Sequence, residues 1–147
     1  MNFLKILLTT IALALIFSLP AHAVETALTV QEISETAWTQ SLSNADQANG
    51  NSVANPNGDV FLILSGTAGT STVTITAQAP SIEFPGYGPL TKANLAIQLT
   101  SGQTKIVGPL QSRSWNNSAG NIILSFSSAE TTSVAMKALK LKTSLIR

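Results

Sequence analysis

The stretch Val60–Ala77, VFLILSGTAGTSTVTITA, decides the fold class. Its opening, Val60–Leu64, is an unbroken apolar run, bounded by turn residues and suited to a central strand covered on both faces. Its close, Thr72–Ala77, alternates strictly. Val73, Ile75 and Ala77 point one way and the threonines the other, which is the period of a half-buried strand. Between them Ser65–Ser71 (SGTAGTS) carries Gly66 and Gly69, so the two runs read as a hairpin with a glycine-bearing loop.

The same grammar extends in both directions. Upstream, Ala45–Gly58 (ADQANGNSVANPNG) reads as a loop with the turn dipeptides Asn49-Gly50, Asn55-Pro56 and Asn57-Gly58. Leu28–Ile33 reads as a first strand, in which Leu28 and Val30 alternate and Ile33 falls one residue out of phase. Downstream, Ala79–Leu90 holds Pro80, Pro85 and Pro89, so it reads as an irregular connection. Leu95, Ile97 and Leu99 alternate again. Ser101-Gly102-Gln103 is a turn, Lys105–Val107 a strand ended by Gly108-Pro109, and Gln111–Gly120 a polar loop. Asn121–Ser127 reads as a strand. Ser133–Leu141 fits strand or short helix, and the lack of a helix cap favours strand. Seven or eight short strands at this spacing predict an all-β chain: an antiparallel β-sandwich, immunoglobulin-like or jelly-roll-like, forming a single domain over residues 24–147.

Residues Met1–Ala23 read as a secretory signal peptide: Lys5 in the leading segment, an apolar run from Ile6 to Leu19, then Pro20 and the small-residue site Ala21-His22-Ala23. The run is shorter than the roughly 20 residues a membrane span needs. Cleavage after Ala23 predicts a secreted, periplasmic or extracellular protein with no membrane span. It also removes His22, the chain's only histidine. With no cysteine in the chain, disulfide frameworks, thiolate metal sites and thiol catalysis are excluded.

Eight Lys+Arg against seven Asp+Glu leave no basic excess for nucleic acid, and 10% charged with 44% hydrophobic residues excludes a disordered segment. Serines and threonines are abundant, but a hydroxyl nucleophile needs a base. Lys92, Lys105, Lys137, Lys140 and Lys142 read instead as solvated. The carboxylates Glu25, Glu32, Glu35, Asp46, Asp59, Glu83 and Glu130 show no pairing that marks a cleft. Asp46 and Asp59 with loop carbonyls could offer oxygen ligands to calcium, but no DxDxDG stretch accompanies them. No cofactor and no metal site are therefore expected. Trp38, Tyr87 and Trp115 are the candidate binding residues. They could form a sugar-stacking platform on loops, or plug the ends of the core, as large aromatics more often do.

Three stretches carry a resemblance. Leu28–Gly66 has a TVQ strand, a polar AD loop and an Asn-Gly turn leading into an apolar strand. Leu99–Leu110 (LTSGQTKIVGPL) is a strand–turn–strand ending in Gly-Pro, and Asn117–Leu141 reads as a closing hairpin. In this order they resemble the small phage virion proteins of the head-decoration type. The resemblance implies a β-sandwich that packs on a larger protein lattice without catalysis. Those proteins assemble in the cytoplasm, so the signal peptide would be an addition. No binding residue carries over, because the shared pattern marks strands and turns.

The expected function is that of a secreted, non-enzymatic structural or interaction protein that packs on a protein assembly or cell-surface component, possible as a homo-oligomer. The alternative is a small carbohydrate-binding module using the loop aromatics.

Overall fold

The two diagnostic runs do form strands, but not with each other. The computed structural model describes residues 24–33, 41–78, 82–84, 88–90, 92–128 and 133–141. The elements in chain order are β1 (Thr26–Leu28), β2 (Val30–Ile33), β3 (Ser43–Asn44), β4 (Asn51–Ala54), β5 (Val60–Gly66), β6 (Thr70–Ile75), β7 (Ile82–Phe84), β8 (Gly88–Leu90), β9 (Leu95–Thr100), β10 (Thr104–Val107), the short helix α1 (Ser112–Trp115), β11 (Asn121–Ser128) and β12 (Val134–Leu141). One sheet runs β1-β4-β11-β6-β9. The second runs β10-β5-β12-β2, with β3 also paired to β12. Strands β7 and β8 pair only with each other. The chain is thus an all-β sandwich.

Several expectations need correction. Strand β5 belongs to the second sheet and β6 to the first, so Ser65–Ser71 crosses between sheets instead of closing a hairpin. The connections β9 to β10 and β11 to β12 join the two sheets in the same way. The sheets are mixed, because β1 runs parallel to β4 and β2 parallel to β12. The stretch read as one strand over Leu28–Ile33 is two strands broken at Thr29, between the in-phase residues Leu28 and Val30. Strand β4 lies inside the predicted loop Ala45–Gly58. It escapes a pattern search because Val53 and Ala54 are its only apolar residues, and its inward positions are Asn51 and Val53. Ala79–Leu90 contains the small β7–β8 ribbon. Residues 1–23, with the predicted signal peptide, lie outside the described residues.

The reason for the crossing is burial. Strand β5 is buried at Val60, Leu62, Ile63 and Leu64, and β12 from Val134 through Leu139. Such strands need neighbours on both edges and cover on both faces, and β5 obtains its edges from β10 and β12. Strand β6 keeps one wet face and sits between β11 and β9. Val60, Leu62 and Leu64 meet Val73, Ile75, Leu99, Ile122, Leu124, Val134, Met136 and Ala138 in one cluster between the sheets.

The crossings after β5 and after β9 stack on one another. Gly66 N–H donates to Gln103 O at 2.8 Å, Gly102 N–H to Gly66 O at 2.8 Å, and Ser101 N–H to Gly69 O at 2.9 Å. Gly66 is a glycine for lack of room: a Cβ there would collide with the Thr100 carbonyl oxygen. At the opposite end Asn55, fully buried, holds two loops together. Its Nδ2 donates to Leu110 O at 2.6 Å and to Asn116 Oδ1 at 2.9 Å, while Asn116 Nδ2 returns a bond to Asn55 O at 2.6 Å.

Gly66→Ala should therefore destabilise the fold by about 1–3 kcal/mol, the usual cost of overpacking a closed site. Ala68, half-buried in the same turn, should tolerate the small change Ala68→Ser within about 0.5 kcal/mol. Urea denaturation of both variants measures the contrast.

Candidate functional site

The N-terminal segment is the part of the sandwich whose attachment does not follow from chain connectivity. Strand β1 pairs parallel with β4, Thr26 opposite Asn51 and Leu28 opposite Val53. The chain leaves that sheet at Thr29, and β2 pairs parallel with β12, Val30 opposite Ala138 and Ile33 opposite Leu141. One short segment therefore closes the same side of both sheets. Leu28 and Val30 are its apolar anchors, each only partly buried against the core.

Polar groups fix its start. Thr26 N–H donates to Gly50 O at 3.1 Å, and Asn51 Nδ2 donates to Thr26 O at 3.0 Å. Thr26 Oγ1 donates to Asp46 Oδ2 at 2.6 Å. The Asp46 carboxylate also accepts Asn49 N–H at 3.0 Å and Asn49 Nδ2 at 3.1 Å. Asn51 itself is buried and accepts Asp46 N–H at 2.8 Å, so the strand, the turn and the segment share one network. Donors aimed at a carboxylate favour its charged form. The Thr26 hydroxyl first, and then the Asn49 groups, hold Asp46 below the ordinary carboxylate range.

A groove of about 660 Å³ lies beside this segment, lined among others by Thr26, Leu28, Val30, Asn44, Met136 and Lys137. Its position follows from the pairing. Strand β3 meets β12 at Ala135 and Met136, and β2 meets it from Ala138 onward. The groove opens where one partner strand gives way to the other. Its walls mix hydroxyl and amide side chains with the apolar Leu28, Val30 and Met136.

Of the three predicted binding aromatics, Trp115 alone falls among the described residues; Trp38 and Tyr87 lie outside them. Trp115 ends α1, is partly buried, and packs against the core. Lys92 Nζ sits 4.1 Å from its ring centroid, a cation–π contact that occupies one face. The buried Ser133 hydroxyl meets the Ser71 hydroxyl and Gln47 Nε2, and those two bonds supply no base for a nucleophile. Among the described residues no group of three or more His, Cys, Asp or Glu side chains could hold a metal. Nor is any described helix long and apolar enough to cross a membrane.

The Thr26–Asp46–Asn51 network was missed by sequence reading. Asp46 was visible only as a loop carboxylate, and its one available signal is the spacing Asp46-x-x-Asn49-Gly50, which suits a turn closed by an aspartate side chain.

Because its folded pKa is lowered, Asp46 contributes stability that is present above the unfolded carboxylate pKa, about 3.9. That contribution is lost as pH falls through the lower folded value. Protection of the Thr26–Leu28 amides from hydrogen exchange, taken relative to the intrinsic rate at each pH, should fall across that acid window in the native chain. In Asp46→Asn protection should be lower already at neutral pH and lack the acid step. No family model, curated protein or solved structure matches the chain.

Proposed function

We propose that the protein is a secreted, non-enzymatic structural or interaction protein that packs on a protein assembly or cell-surface component. Export rests on the tripartite pattern of Met1–Ala23. The resemblance of three stretches to phage head-decoration proteins supports the same reading, as does a sandwich whose buried hydroxyls and amides bind one another.

The observation that carries the proposal is Ile106. It lies on β10, an edge strand of the second sheet, and is 70% exposed. It stands opposite Ile63, which is buried, and shares a sheet face with Phe61. A large apolar side chain on an open strand edge is a liability in water and an asset against a partner. A glycan platform has less support, because Lys92 already covers one face of Trp115.

Native protein should begin at Val24 and sediment with the envelope or particle fraction of the cells that produce it. Ile106→Lys should change stability by no more than about 0.5 kcal/mol, as exposed substitutions do, yet shift the protein to the soluble fraction. Native and variant proteins that are equally soluble and monomeric would overturn the reading.

A further inference from the structure

The two open sides of the sandwich are closed by different means. On the side of β9 and β10, Lys105 reaches from one edge strand to the other and donates from Nζ to Gln98 O at 2.8 Å. A charged side chain there occupies an edge acceptor and discourages pairing with another chain. On the far side both edges, β4 and β12, are occupied by the N-terminal segment, in parallel register.

We propose that this seat is filled in the assembled state by the N-terminal segment of a second copy, so that Thr26–Ile33 is exchanged between molecules. The occupant is given by the fold. The seat already holds residues 26–33, and the same residues from another copy would make identical hydrogen bonds and place Leu28 and Val30 identically. Exchange of an identical element is a low-cost route to association.

Three further features favour it. The segment is not joined to either neighbour through a hairpin, since parallel strands need a longer connection. In sequence nine residues separate Ile33 from Ser43, and a chain of that length spans at most about 30 Å. The segment also borders the groove of about 660 Å³ instead of being packed into the core on every side. Interlocking apolar packing is what normally makes a strand costly to withdraw, and here it rests on Leu28 and Val30. The strongest polar hold, at Thr26, comes from Asp46, Gly50 and Asn51, which any copy of the segment would meet. This inference stands apart from the docking role of Ile106, which lies on the opposite edge of its sheet.

The absence of cysteine makes the test clean. Ala27 and Ser52 are paired across β1 and β4. Neighbouring strands lie about 4.8 Å apart, within the separation a disulfide spans. Full exported chains carrying Ala27→Cys and Ser52→Cys singly are mixed at high concentration, oxidised, and resolved on a non-reducing gel. A covalent heterodimer that grows with concentration is expected. The control mixture replaces Ser52→Cys with Gln98→Cys, at an exposed position on the remote β9, and should give no more than background linkage. A mixture that stays monomeric, or a control that links equally well, would overturn the proposal. Cross-linking retained while Ile106→Lys stays in the particle fraction would overturn the docking reading alone, and loss of that variant from the fraction without cross-linking in the cysteine mixture would overturn this one alone.

Discussion

The ladder between β5 and β12 is the constraint on which the other elements depend. It runs antiparallel from Val134 opposite Gly66 to Lys140 opposite Val60. Its inward residues, Val60, Leu62, Leu64, Val134, Met136 and Ala138, supply the second sheet's share of the core. Its outward residues Ile63, Ala135 and Leu139 are also buried. Each large apolar side chain so buried contributes about 1.5–3 kcal/mol. The crossing from Gly66 to Thr70 is as short as a hairpin loop, so loop-closure entropy does not favour one over the other. Burial decides, and the chain crosses to the other sheet at Gly66.

That choice sets a second problem, since every crossing leaves backbone and side-chain polar groups at the ends of the sandwich. Buried polar groups are tolerated when bonded and costly when not. Asn51, Asn55, Ser71 and Ser133 are all buried, and each takes part in a bond that joins separate segments. Asn55 and Asn116 bind reciprocally across loops far apart in sequence. Ser71 and Ser133 join the start of β6 to the residue before β12, one from each sheet. Among the described residues no buried side-chain nitrogen or oxygen lacks a partner. In a chain without cysteine, these bonds tie together loops that no disulfide can fasten.

The class of the fold was legible because it rests on periodicity. Thr72–Ala77 and Leu95–Leu99 alternate and Asn121–Ser127 reads as a strand, and each is a strand close to its expected bounds. The pairing was not legible. Ser-Gly-Thr-Ala-Gly-Thr-Ser suits a hairpin and a crossing equally, and what separates them is the burial of Val60–Leu64 on both faces, a property of the whole sandwich. Strand β4 was hidden for a related reason: buried Asn51 looks like a loop residue until its partners, Thr26 and Asp46, are in place. Of the candidate site, Trp115 could be singled out by type, but the capture of its ring by Lys92 depends on a contact between distant segments.

The edges are where these arguments meet. A sandwich of two open sheets has exposed backbone on both flanks, and pairing with another chain there is either prevented or used. Lys105 serves prevention on the β9–β10 flank, though its neighbour Ile106 leaves an apolar contact open on the face beside it. On the other flank the chain spends its own first strands, and Thr29 is the hinge that lets one segment serve both sheets. The change of sheet at Thr29 leaves no slip in the sequence pattern, because Leu28 and Val30 stay in phase across it. Leu28 faces the core from the first sheet and Val30 from the second. A segment with that pattern suits any sandwich edge built like this one, and the nearest such edge in an assembly belongs to a second copy of the same chain.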